Sequence, residues 1–333
     1  MRAIAAFPDL HPGKYGPVGG AVLSDLLHPQ LVGSDIGCGM SMFALDLPAR
    51  KLKPEKAAQR LRALAHPFEG DPKIRLAQQG LPRDLFASAL GTIGGGNHFC
   101  EVQRVVQAQP DSGLVKDQLC LLVHSGSRGF GHFLLQNVLA NGRVAFDAAS
   151  REGKDWHESH DQAVVWARLN RQIIAERAAA ALRCDAELIT DCPHNLVTWE
   201  AGGWLHRKGA ARLQPLVPLA GTRASAGFVL RPNMSDKNAL NSCAHGAGRK
   251  YDRASMHGRV ARKKSVLEAM RQPSSMARVI CDDKSMLIEE APQAYKSATH
   301  VARDLADFGV TETLVEVIPV LTFKNATLQG AML

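Results

Sequence analysis

The 333-residue sequence contains no apolar run near the roughly 18 residues that would span a bilayer. Its start, MRAIAAFPDLHPG, lacks the apolar stretch of a secretory signal. It lacks CxxC pairs as well. Its seven cysteines, Cys38, Cys100, Cys120, Cys184, Cys192, Cys243 and Cys281, are odd in number and widely spaced. That pattern argues against a disulfide framework and for reduced thiols, of which one or two could do chemistry. There is no internal repeat, no low-complexity tract and no obvious linker, and the 29 Gly and 17 Pro follow no period, which excludes fibrous and collagen-like chains. With 45% hydrophobic and 22% charged residues the chain can bury a full core, and disorder is excluded as its main state. The expectation is a soluble cytoplasmic protein with no membrane partner. The net charge of +8 suggests an anionic partner without identifying nucleic acid.

Coarse patterning predicts helices from Pro54 to about Ala65, from about Asp161 to Arg183, from Lys264 to Arg271 and from Ala298 to Phe308. In the longest, Val165, Leu169 and Ile173 are expected on the buried face, with solvated charges on the other. Buried strands are predicted at Leu119–Val123, Phe228–Leu230 and Leu314–Val320. Strands and helices mix without a βαβ rhythm, which points to an α+β fold over residues 1–333 rather than a dinucleotide-binding sheet.

Five segments stand out, four with glycine clusters beside titratable residues, where backbone can approach a ligand closely, and one with a His in a loop. They are Gly33–Met40 (GSDIGCGM), Gly91–Phe99 (GTIGGGNHF), Leu122–Gly129 (LVHSGSRG), Asp191–Asn195 (DCPHN) and Ser242–Arg249 (SCAHGAGR). A lone His, Cys or glycine turn is usually structural. Jointly, an Asp, a Cys and several His point to a divalent transition-metal site in which one thiolate bridges two ions, and ligand softness names zinc first. His245 differs, because Gly246, Ala247 and Gly248 impose no bulk and the Arg249 guanidinium matches phosphate. It suits a histidine that attacks or holds phosphorus, with a general base as the rival role.

Together these segments resemble the RtcB family of RNA ligases. The match extends to Phe7–Lys14 (FPDLHPGK), His206–Ala210 (HRKGA), Glu289–Lys296 (EEAPQAYK) and Phe323-Lys324. The resemblance implies a compact α+β domain with mixed sheets around a central metal and nucleotide cleft. It implies joining of RNA ends bearing a 2′,3′-cyclic phosphate or 3′-phosphate to 5′-hydroxyl ends, with GTP and two Mn²⁺ ions, through a guanylylated histidine. Asp35, Cys38 and His98 would hold one ion, and Cys38 would bridge to a second held by His124 and His194. His245 would accept GMP. Asn97, Glu101, Thr222, Gly246, Gly248, Arg249 and Lys324 would contact the nucleotide, with Glu101 and Lys324 on guanine. Arg128 and Arg249 would handle phosphate. On this resemblance manganese replaces the zinc expected from softness.

The sequence departs from the family in three places. It begins almost at PDLHPG, where relatives carry some tens of residues, and its His124–His194 stretch is shorter, so either the RNA-docking surface is reduced or the start codon is misassigned. Pro218–Ser225 (PLAGTRAS) follows the family's PGSMGT-like loop loosely, with Thr222 where Ser is usual. The compact form resembles the branch coupled to a release-factor-like protein, which implies RNA repair. A two-metal phosphodiesterase or nucleotide hydrolase and a non-catalytic RNA-binding relative are the rival readings. His11 is expected to brace its turn, Cys192 and Cys243 to pack, and His132, His157 and His160 to face solvent.

Overall fold

The computed structural model describes residues 1–234 and 238–325. In chain order the strands are β1 (Ala3–His11), β2 (Val18–Ser24), β3 (Gly39–Leu45), β4 (Phe99–Ala108), β5 (Leu119–Ser125), β6 (Ala186–Pro193) and β7 (Asn195–Glu200). They continue as β8 (Gly203–Lys208), β9 (Ala210–Arg212), β10 (Val217–Leu219), β11 (Gly227–Pro232), β12 (Ser242–Ala244), β13 (Arg278–Cys281) and β14 (Thr311–Asn325). The α-helices are α1 (Pro54–Leu61), α2 (Pro72–Gln78), α3 (Gly129–Ala140), α4 (Arg151–Leu182), α5 (Arg253–Arg259), α6 (Lys264–Arg271), α7 (Lys284–Glu289) and α8 (Ala298–Asp307). The fold is α+β. None of these helices is long and apolar enough to cross a membrane.

The large sheet runs β10-β11-β14-β4-β5-β3-β6, with β13 added parallel to β14 and every other pairing antiparallel. Both faces are covered. Helices α1 and α4 close one face around Phe43, Val102, Leu121, Ile174 and Phe323, while Met42, Leu122, Val229 and Val317 pack on the other. This explains why β5 reads as a continuous apolar run: every residue from Leu119 to Ser125 is buried. A four-stranded sheet, β1-β2-β8-β7, and the β9–β12 pair share a second core with α8.

The helix expected from Asp161 begins at Arg151, because the Ser150 hydroxyl accepts from Gly153 N–H at 3.0 Å and caps it there, and Trp156 buries against Phe146. Its buried stripe follows Ala163, Trp166, Ala167, Asn170 and Ile174, so Leu169 and Ile173 are inside but Val165 is exposed. His160 is also inside, contrary to expectation. Its Nδ1 donates to Asp161 Oδ1 at 2.9 Å and its Nε2 accepts from Val197 N–H at 3.0 Å. His157 is half-buried against Trp204, and His132 is exposed. Cys192 and Cys243 are buried in the second core.

Candidate metal centre and adjoining cavity

One sheet edge assembles the candidate metal-ligating side chains. Cys38 immediately precedes β3, and the antiparallel neighbours β5 and β6 end there, with Gly39 opposite both Ser125 and Pro193. His124 sits at the end of β5 and His194 just beyond β6. The start of β4 lies alongside, with Phe99 opposite His124, which places His98 in the same corner. Backbone bonds fix the corner, since His194 N–H donates to Cys38 O at 2.8 Å and Gly37 N–H to Asn195 O at 2.7 Å.

Cys38 Sγ lies 3.3 Å from His98 Nε2 and 3.2 Å from His124 Nε2. His124 Nε2 is 3.3 Å from His194 Nε2, and Asp35 Oδ2 is 2.8 Å from His98 Nε2. Two donor sets result, Asp35–Cys38–His98 and Cys38–His124–His194, each with its donor atoms within 4.8 Å and both containing Cys38. The set fits a pair of divalent transition metals sharing a thiolate. His98 Nδ1 and His194 Nδ1 are buried without partners, while His98 Nε2 faces Asp35 and Cys38 and His194 Nε2 faces His124, a convergence of ligand atoms that a cation would join. Burial keeps His124 and His194 well below the ordinary imidazole range, in the neutral form that ligates. Burial, reinforced by Asp35, pushes the Cys38 thiol well up, so a thiolate there requires a cation close by.

Beneath the corner, Arg171 of α4 is fully buried. It donates to Gly37 O at 2.7 Å and Ser125 O at 2.9 Å, pairs with Asp191 at 2.8 Å, and bonds Ser41 Oγ at 3.0 Å. One guanidinium thus ties the turn carrying Cys38 to the end of β5. Gly126 leaves the room Asp35 occupies, because a Cβ there would stand 2.2 Å from the carboxylate.

The corner opens into a cavity of about 300 Å³. His245, at the end of β12, stands 4.3 Å from His194 between ring centroids, and its Nδ1 lies 2.9 Å from Oδ2 of the wholly buried Asp9. Asp9 Oδ2 also accepts the His245 N–H at 3.3 Å. Gly248 has φ +71 and touches the Asp9 backbone so closely that a Cβ would sit 2.2 Å from its carbonyl oxygen, which is why glycine follows the histidine here. Along the wall, Glu101 of β4 faces Thr322 of β14 and accepts from its hydroxyl at 2.6 Å and from Gln103 at 2.8 Å. Lys324 donates to His98 O at 3.1 Å and lies 3.8 Å from Glu290. Burial pushes Glu101 up to about 7. It acts in the same sense on Glu290, but Lys324, Arg253, Tyr295 and Arg249 override it and hold that carboxyl at about 2.

Asp35, Cys38, Asn97, Glu101, His124, His194, Thr222, His245, Gly246, Gly248, Arg249 and Lys324 all line this cavity. His98 lies beneath it in the metal corner. Arg128 stands on the outer side near Asp35, its Nε donating to Thr92 Oγ1 at 3.4 Å. The Arg249 guanidinium is committed to the wall, paired with Glu290 at 3.0 Å and donating to Glu289 O at 2.8 Å. Thr222 bonds Ser225 across its own turn at 2.9 Å. His11 lines the cavity while its Nδ1 donates to Asp9 O at 2.8 Å.

Asp9, Arg171, Glu290 and Tyr295 received no role from sequence reasoning. Asp9, Glu290 and Tyr295 fall inside recognised segments, and that was their only signal. Arg171 carried none, and the expectation of solvated charge along its helix fails at this residue.

The family model described as tRNA-splicing ligase RtcB matches residues 1–83 and 73–325. An RNA-splicing ligase RtcB2 of Escherichia coli is 38% identical over 98% of this chain and 89% of its own length. The RNA-splicing ligase RtcB of Escherichia coli K12 is 28% identical, covering 96% and 88%, and that of Mycobacterium tuberculosis is 27% identical, covering 98% and 97%. Near full-length matches to relatives on this scale leave one conclusion, that the chain belongs to the RtcB family.

Proposed function

We propose that this chain is a GTP- and manganese-dependent RNA ligase that joins 2′,3′-cyclic-phosphate or 3′-phosphate ends to 5′-hydroxyl ends through a guanylylated His245. The observation that carries the reading is the His245–Asp9 pair at the junction of donor cluster and cavity. The Asp9 carboxylate lies close to Nδ1 outside hydrogen-bond geometry, and its charge would favour the proton on Nδ1 and leave Nε2 as nucleophile. Asp35, Cys38, His98, His124 and His194 would hold two Mn²⁺ ions, which supply neutralisation of phosphate charge when bound. His245 Nε2 attacks the α-phosphorus of GTP, the bond to pyrophosphate breaks, and GMP stays on nitrogen. A cyclic end would first be opened by water, which breaks the P–O2′ bond and leaves a 3′-phosphate; the GMP then passes to the RNA 3′-phosphate, and attack by the 5′-hydroxyl expels it and seals the strand.

Glu101 accepts from the guanine N1–H and amino group while Lys324 donates to O6, which fits a carboxylate and an ammonium on adjacent strands. Asn97, Thr222, Gly246, Gly248 and Arg249 would line the remaining nucleotide contact surface; Arg128 would meet phosphate from beside Asp35, and Arg249 would do so on leaving Glu290 and Glu289. Cytoplasmic RNA repair beside a release-factor-like partner completes the proposal, and rests on the compact form of the chain.

The test is covalent labelling with radioactive GTP and Mn²⁺. His245→Ala is expected to lose all label while retaining its metal content. Label surviving in that variant overturns the assignment. Absence of label from metal-loaded wild type favours the phosphodiesterase reading, which needs neither the His245–Asp9 pair nor a guanine wall.

A further inference from the structure

The positive charge of this protein is not spread over its surface. Between Arg249 and Arg278 the sequence carries nine Lys or Arg against two acidic residues, so this one stretch accounts for all but one unit of the net +8. It folds as α5, α6 and the approach to β13, packed with α7 around a small core of Met256, Leu267, Val279 and Leu287. That module is anchored beside the cavity wall, because β13 pairs with the end of β14, with Val279 opposite Thr322 and Ile280 opposite Phe323. Lys250, Arg259, Arg262, Lys263 and Lys264 are exposed, and none forms an ion pair with a carboxylate among the described residues. Cations that serve the fold usually sit beside carboxylates, as Arg271 does with Glu268 and Arg278 with Glu55. These do not. The Arg259 guanidinium lies 3.8 Å over the Tyr251 ring, a stacked arrangement that preorganises its donors.

We propose that the α5–α6 surface is the track on which the phosphate backbone of substrate RNA lies as its end enters the cavity. The inference rests on the ligase reading and adds where the strand docks. Arg253 provides the continuity, since it lines the cavity and is paired with Glu290 at 3.1 Å, yet its side chain is 45% exposed. From Arg253 outward the path meets exposed cations with almost no acidic residue. Such a surface suits a polyanion of regular charge spacing, bound through backbone rather than base edges.

The test uses the full-length protein and a fluorescent single-stranded RNA dodecamer with a 3′-phosphate, titrated over a range of salt concentrations. One variant carries Arg259→Gln, Arg262→Gln, Lys263→Gln and Lys264→Gln. A control carries Arg50→Gln, Lys51→Gln and Lys53→Gln, which are exposed but lie outside this stretch. Thermal melts establish that both variants are folded. The track variant is expected to bind at least tenfold more weakly at about 0.1 M salt, with a log–log salt slope shallower by about 0.7 for each phosphate it no longer neutralises. Its labelling with GTP is expected to be unchanged, and the control to bind like wild type. Wild-type affinity in the track variant, or equal loss in the control, overturns the docking surface while leaving a labelled His245 intact. A protein that takes no label but loses RNA in the track variant alone overturns the ligase reading and keeps the docking surface.

Discussion

Glu101 and Glu290 line the same cavity, yet their carboxyl groups are driven in opposite directions. Burial dominates at Glu101 and pushes it up to about 7, whereas the cations and phenol around Glu290 outweigh burial and hold it at about 2. An acid whose folded-state value is raised binds its proton longer in the folded protein than in the unfolded one. Glu101 therefore favours the fold at acidic pH, and that contribution is lost as pH rises from about 4.5 through about 7. Glu101→Gln should remove this slope, worth on the order of 3 kcal/mol, in urea denaturation run from pH 4.5 to 8. Identical slopes in both proteins would show that Glu101 does not titrate in this range. The ionised form is the one that can accept from guanine, so GTP affinity should rise over the same interval. Asp9 makes a sharper case. Asp9→Asn keeps the shape but removes the charge beside Nδ1, and should slow GTP labelling at least tenfold with metal content unchanged. Unaltered labelling would reduce Asp9 to a packing residue.

At the scale of elements, α4 does more than cover the sheet. Arg171 reaches from its buried face to two carbonyls at the ends of separate ligand-bearing segments. Replacing it with Met leaves Asp191 without its main partner in a buried setting, a change that typically costs about 3–5 kcal/mol. Arg171→Met should lower stability by that amount in chelator-treated protein and should also reduce metal bound per chain, measured by elemental analysis. Loss of stability with full metal content would assign the residue to the fold alone.

Across the whole molecule, legibility follows sequence locality. The candidate ligands Asp35, Cys38, His98 and His124 stand in short glycine-rich segments and His194 in a short Pro-His-Asn loop, so their types and settings are readable from the sequence, as are α6 and α8. Asp9 acts on a residue 236 positions away and Arg171 on Ser41 at a separation of 130, and nothing local announces either contact. The start of α4 was missed because a cap at Ser150 and the burial of Trp156, rather than the aliphatic repeat, determine it. His160 was misplaced because polar neighbours in sequence hid an environment made by β7.

The place of β14 has a consequence for biosynthesis. This strand is made long after β4, yet it inserts between β11 and β4 and supplies Lys324 to the cavity. At roughly 5–20 residues per second, β4 must wait on the order of 10–40 seconds on the ribosome before its neighbour is made. Through that interval β4 presents an open edge, the kind of surface on which other chains pair and aggregate. Newly made protein is therefore exposed to misassembly until β14 has left the exit tunnel, and the cavity of a nascent chain lacks Lys324 before then.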